Sequence, residues 1–282
     1  MTELPSAGAA VFQDAADREA AERARRAAAP LAAVVEAIGA LEPDTRTALY
    51  TLLSSLADNK YVLGRRYAEW CTGAPMLESA VAAAAMAQDE LGHARSFYPL
   101  LRGFPEATEA DTREEAGWQN RPTSAMTCLA GRFEAWGDFI AANLLVDTAL
   151  TILLEAAAGS PYEPLRQRAR KIGQEELAHW VHAKGWVRKL GAQDSTRTAL
   201  LASLAAMWDH AFTWYGLPDD PTLAPLTSAG ILATGPGDLR ERLHERLSTV
   251  LEVAGLAEEL LGRKLPWDRW DPRARRLRPE AR

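Results

Sequence analysis

Gln88-Asp89-Glu90-Leu91-Gly92-His93-Ala94, set beside its counterpart Gln174-Glu175-Glu176-Leu177-Ala178-His179-Trp180, decides how this chain folds. Each stretch holds a Glu-x-x-His pair among Ala- and Leu-rich neighbours, with no proline between the paired residues. Residues three apart on an α-helix point about 60° from one another, so each pair offers a carboxylate and an imidazole to one ion. Two such pairs are half of a two-ion site in the core of a four-helix bundle, where each of the other two helices adds one carboxylate. The pairs must then lie on two helices that face each other across a common core.

Working outward, apolar residues recur at helical spacing on both sides of these motifs, and an all-α chain is expected. Glu42-Pro43-Asp44 punctuates the chain, with Asp44 as N-cap of a first core helix over Thr45–Trp70. The short turn Gly73-Ala74-Pro75 permits only an antiparallel neighbour, expected over Met76–Leu101. Residues 102–122 form a crossover, Thr123/Ser124 cap a third helix to about Ala158, and Gly159-Ser160-Pro161 opens a fourth that ends at Leu190. Further helices are expected over Ser195–Tyr215 and Gly237–Leu261, and no alternating strand pattern competes. The expected organisation is an N-terminal helical arm at 1–43 peripheral to the core, a four-helix core at 44–191, and C-terminal helices with a basic tail at 192–282 in the same domain.

A chain of 282 residues, 48% hydrophobic, is long enough to bury a substantial core. The net charge of -6 argues against general nucleic-acid binding, which needs a basic face. Cys71 and Cys128 have no CxxC spacing and make no disulfide framework. Met1–Ala10 lacks the basic start and apolar run of a signal peptide, and no run of about 20 apolar residues spans a membrane. A cytoplasmic protein with no membrane role is expected. The basic stretch Arg269–Arg282 is expected to be a solvated tail, and the tryptophans are too dispersed along the chain to mark a site.

The third helix offers Asp147, a lone acid in the apolar run Asn143-Leu-Leu-Val-Asp147-Thr-Ala-Leu, ahead of its competitors Asp138 and Glu155. The first helix carries Asp58, Lys60, Arg65, Arg66 and Glu69, of which only one can face the site. Asp58 and Glu69 both lie far round the helix from Lys60. Asp89 and Glu175, each preceding a motif glutamate, are placed to orient a histidine. His182 is expected to serve packing, and Gly92 to allow close approach of a neighbouring helix.

Leu56-Ala-Asp58-Asn59-Lys60-Tyr-Val-Leu-Gly64-Arg-Arg66-Tyr-Ala-Glu69-Trp70-Cys71-Thr-Gly-Ala74-Pro75, followed by Gln88-Asp89-Glu90-Leu-Gly-His93-Ala-Arg95, resembles the phenylacetic acid catabolic family, which comprises catalytic and structural subunits of ring-1,2-phenylacetyl-CoA epoxidase. The likeness continues through Leu145-Val146-Asp147, Glu175-Glu176-Leu-Ala-His179, Gly185-Trp186 and Leu190-Gly191, and covers roughly residues 50 to 250. It implies a ferritin-like four-helix bundle with flanking helices. The Asp-Asn, Glu-Trp-Cys and Gly-Trp-x-x-x-Leu-Gly features look like the structural subunit, which in the family has lost much of its metal site. The Glu90/His93, Asp147 and Glu176/His179 features look like the catalytic subunit, whose di-iron centre activates oxygen. Aligned through Trp70 and Ala74-Pro75, that subunit's first-helix glutamate ligand falls on Lys60.

Three functions follow from the resemblance. One is an epoxidase-like oxygenase component acting on an aromatic acyl-CoA, with Glu90, His93, Asp147, Glu176 and His179 holding iron, as a pair or a single ion, or manganese. Another is a non-catalytic structural subunit paired with a catalytic homologue, its site closed by Lys60 and free of metal. The third is another ferritin-like metal-binding redox protein. Three carboxylates and one ammonium leave about two negative charges, which suits at most one divalent ion, and Lys60 is expected to point inward and pair with Glu90 or Asp147. The expected partners are a homologous helical subunit or a second copy. No iron–sulfur cysteine pattern and no Gly-rich nucleotide loop is present, so oxygenase activity would need a separate reductase.

Overall fold

A computed structural model describes residues 34–107 and 124–279, so most of the N-terminal arm, most of the crossover and the last three residues lie outside the described residues. Four long helices make the core: α1 (Pro43–Ala68), α2 (Leu77–Leu101), α3 (Trp136–Ala157) and α4 (Glu163–Gly191). Around them pack α5 (Asp194–Thr213), α6 (Leu223–Ser228), α7 (Pro236–Val253) and α8 (Ala257–Leu260). The chain is all-α with a ferritin-like bundle at its centre. Residues 34–39 are helical, and Val34 and Ile38 join the hydrophobic core.

The start of the third helix differs from expectation. Residues 124–135 carry only the 3-10 turn Thr127–Leu129, because α1 side chains capture this backbone: Ser124 N donates to Asp58 Oδ2 (2.6 Å) and Met126 N to Asn59 Oδ1 (3.0 Å). Helix α3 begins at Trp136, where Asp138 Oδ2 accepts from the backbone N–H groups of Glu134 and Ala135. Helices α1 and α4 also start differently: Pro43 and Pro164 stand in their first turns, Glu42 rather than Asp44 takes the N-cap position of α1, and Tyr162 takes that of α4, two residues beyond Ser160. The expected sixth helix is broken after Val253, where Gly255 adopts φ +67°.

Helix α3 is long and apolar enough to cross a membrane, contrary to the expectation from sequence, yet its most apolar stretch is 94% buried among its neighbours. Its apolarity is that of a bundle's central helix. Cys71 and Cys128 are free and half-buried.

Two features of the C-terminal segment correct the sequence reading. Trp270–Asp271 and Arg276–Leu277 pair as a short antiparallel hairpin, and Trp270, Arg275 and Leu277 are buried. As far as it is described, this stretch is a packed strap rather than a solvated tail. The strap meets the bundle at Thr127, whose Oγ1 donates to Leu277 O and lies 3.3 Å from His210 Nδ1 on α5. Burial, with Arg269 nearby, lowers the His210 pKa to about 4. Above about pH 6.5 the imidazole is neutral in both folded and unfolded chains; between about 6.5 and 4 only the unfolded chain takes up the proton. Stability is therefore lost as pH falls through this window, by up to about 3 kcal/mol from this group. Urea midpoints at pH 7 and pH 4.5 should show a smaller drop for His210→Gln than for the native chain.

Candidate functional site

Every core helix sends a charged group to the centre of the bundle: Lys60 from α1, Glu90 from α2, Asp147 from α3 and Glu176 from α4, all buried. Lys60 Nζ lies 2.9 Å from Glu90 Oε1, 2.9 Å from Asp147 Oδ1 and 2.5 Å from Glu176 Oε1. An ammonium has three donors, and here each finds a separate carboxylate. The expected inward pairing of Lys60 is present and extends to Glu176 as well.

Local sequence explains this convergence. Lys60, Gly64 and Tyr67 follow at i, i+4 and i+7 and share one face of α1. A Cβ on Gly64 would sit 2.9 Å from Leu91 Cγ and 3.0 Å from Glu90 Cβ, so only glycine lets α1 approach α2 at the site. Gly64→Ala is expected to cost about 1–3 kcal/mol through overpacking, read as a lowered melting temperature. Gly92, by contrast, is exposed with open space where its Cβ would be, and the close approach expected there does not occur. On α3 a π-helical turn, Ala142–Asp147, ends at the acid itself. Such single-turn insertions collect at functional sites. No residue pattern in the sequence announces it.

The two histidines are held reciprocally. His179 Nδ1 contacts Asp147 Oδ2 at 2.9 Å while its Nε2 lies 3.3 Å from Asp89 Oδ2 on α2. His93 Nε2 lies 2.8 Å from Glu175 Oε2 on α4. Each acid preceding a motif glutamate thus reaches the histidine of the opposite helix. Tyr67 Oη, 3.4 Å from Asp147 Oδ2, is a neighbour the sequence reading missed, although its i+7 spacing from Lys60 pointed to it. His182 packs as expected: its ring meets Trp136 and Phe139 edge-on, and its Nδ1 lies 3.0 Å from Asn143 Oδ1. The tryptophans are less dispersed in space than in sequence, since Trp70 and Trp186 both pack edge-on against Trp136.

The alternatives to these residues have other roles. Asp58 accepts from Tyr98 Oη, Asp138 caps α3 and accepts from Ser203 Oγ, and Glu155 pairs with Arg242 and Arg246. Glu69 pairs with Arg66 at 3.2 Å.

Electrostatics follow from the geometry. Burial alone pulls the Lys60 ammonium down, but Asp147, Glu176 and Glu90 together hold it well above the ordinary lysine value. Burial also pushes Asp147 up, and Lys60 with His179 outweighs it to hold the carboxyl well below its usual range. His179 is disfavoured as a cation by burial, yet Asp147 carries it up to about 12. Burial, with Asp147 adding to it and Lys60 opposing, raises Glu90 to about 7.

The donor atoms of Glu90, Asp147, Glu176 and His179 lie within 4.8 Å of one another, close enough in principle to surround a metal ion. His93 stands further off, its Nδ1 3.4 Å from Glu176 Oε1 and 3.7 Å from Glu90 Oε1. Two ions need a fourth carboxylate. The position that would supply it carries the Lys60 ammonium, seated among the same three oxygens a cation would bind. As arranged, these residues do not fit a two-ion centre.

The sequence matches the phenylacetic acid catabolic protein family across residues 19–262. This chain belongs to that family. Over 196 residues it is 30% identical to the C subunit of 1,2-phenylacetyl-CoA epoxidase from Escherichia coli strain K12, an overlap of 68% of this chain and 75% of that protein. The match reaches further toward both ends than the resemblance quoted from the motifs.

Proposed function

We propose that this chain is one component of a phenylacetyl-CoA epoxidase-like complex, and that it serves there as the structural, non-catalytic partner of a catalytic homologue. The observation that carries this role is Lys60, whose ammonium is within hydrogen-bond distance of all three core carboxylates. A fixed positive charge there does the electrostatic work of a metal, because clustered buried acids must be paired with a cation or take up protons. The likeness to the C subunit of an epoxidase supports the same role.

One observation favours a second reading, an oxygenase component holding a single iron or manganese ion: both motif histidines keep a carboxylate on their outer nitrogen, at 2.8 and 3.3 Å. That is how metal-bound imidazoles are oriented. Acyl-CoA binding, a separate reductase and a cytoplasmic location belong to either version by analogy with the family.

Metal analysis after anaerobic ferrous reconstitution separates the two. Under the structural role the native chain is expected to retain no ion and to give no chromophore on exposure to air, whereas one tightly held ion would favour the second reading; Lys60→Glu is expected to raise occupancy by restoring a fourth carboxylate. Two tightly held irons in the native chain would overturn the structural role.

A further inference from the structure

On the outer face of the bundle, Leu77, Val81, Leu177, Val181 and Val253 stand between 58% and 78% exposed. Leu177, Val181 and Gly185 follow at four-residue spacing and form one ridge along α4. A groove of about 390 Å³ separates this ridge from Val250 and Val253 of α7. A second groove, of about 340 Å³, separates it from Met76, Ser79 and the exposed acid Glu78 at the start of α2. At Gly185 a Cβ would meet nothing within 4 Å, so the ridge dips between its two grooves. Helices pack by setting a ridge of one into a groove of the other, and this face offers both.

Charge says what kind of helix fits. Exposed basic residues bracket the apolar ridge: Arg170 and Lys171 before it, the latter 3.7 Å from Glu175, and Lys184, Arg188 and Lys189 after it. Among the described residues no carboxylate pairs with Lys184, Arg188 or Lys189, although the whole chain carries a net charge of -6. Lys184 and Lys189 lie instead over the rings of Trp180 and Trp186, at 5.4 and 4.5 Å.

We propose that the outer face of α4, from Leu177 to Lys189 with its two grooves, docks a helix of a different subunit that carries an apolar ridge bracketed by acidic residues. A second copy of this chain is the wrong occupant. Antiparallel two-fold packing of α4 on itself would bring Arg188 and Lys189 over Arg170 and Lys171. Parallel packing would bring each lysine over its own image, and like charges facing each other suppress association. The proposal rests on the proposed function only in taking the occupant to be another subunit of the same complex; Lys60 and the core acids take no part in it.

The test is co-expression of the tagged chain with the catalytic-type homologue from the same genome, followed by quantitative pulldown. Three variants are compared with the native chain: Val181→Glu, the pair Lys184→Glu/Arg188→Glu, and the core variant Lys60→Met. Melting curves confirm that the surface variants remain folded. The expected result is stoichiometric pairing of the native chain, on the order of tenfold or greater loss for both surface variants, and no loss of pairing for whatever Lys60→Met protein folds. Pairing that survives both surface changes overturns the docking face and leaves the subunit role standing. Failure of the native chain to pair overturns both. Sedimentation of the chain alone should give a monomer; a self-dimer abolished by Val181→Glu would make a second copy the occupant and overturn the proposal.

Discussion

Lys60→Met is expected to lower folding stability at neutral pH by about 3–5 kcal/mol, the usual cost of removing one partner from a buried ionic cluster. The methionine fills similar space, so the loss reports charge rather than a cavity. What remains is Glu90, Asp147 and Glu176 around a gap, with two imidazoles beside them, His179 at 2.9 Å from Asp147 Oδ2 and His93 at 3.4 Å from Glu176 Oε1. The four donor groups that lie within 4.8 Å of one another are then free to accept a divalent ion in place of the ammonium. Added Mn²⁺ should therefore raise the urea midpoint of Lys60→Met and leave that of the native chain unchanged, since a ligand stabilises only a fold that binds it. A Lys60→Met protein as stable as the native one, indifferent to metal, would mean that the acids neutralise themselves by taking up protons. Lys60 would then not be the charge that holds the core together.

That cluster is largely legible in the sequence. Glu90, His93, Glu176 and His179 stand at a spacing that only a helix turns into a site, and Asp147 is the lone acid of an apolar run. The i, i+4, i+7 row Lys60, Gly64, Tyr67 is equally readable, yet Gly64 and Tyr67 escape notice because glycine and tyrosine carry no charge to draw attention to a core position. Other features have no local signature. The π-helical turn that ends at Asp147 reflects how α3 is packed by its neighbours, and the irregular residues 124–135 reflect capture of their backbone by Asp58 and Asn59 from a distant helix. Both are tertiary effects overriding local propensity. Gly92 illustrates the converse error: a glycine between two ligand-type residues suggests close packing, and the structure puts it on the outer face of α2.

The C-terminal strap shows the same limit most sharply, and loss of its buried arginine is the second large effect expected. Arg275 sits in a stretch whose composition reads as solvated charge, yet it is fully buried with φ +50°. Its guanidinium donates to Asp220 Oδ1 at 2.8 Å and to Trp214 O at 2.5 Å, and lies 5.6 and 5.7 Å from the ring centres of Trp214 and Trp270. Asp220 Oδ1 also accepts from the backbone N–H groups of Thr222 and Leu223, which begins α6. One ion pair therefore ties the C-terminal hairpin, the loop after α5 and the start of α6. Arg275→Met leaves Asp220 buried without its cation and is expected to cost about 3–5 kcal/mol, with early hydrogen exchange in the hairpin. Adding Asp220→Asn removes the stranded charge while keeping an oxygen to cap α6, so the double variant should recover part of the loss. If instead Arg275→Met costs less than about 1 kcal/mol, within the range of an exposed ion pair, then the strap is held by Trp270 and Leu277 alone, and the buried pair contributes position rather than stability.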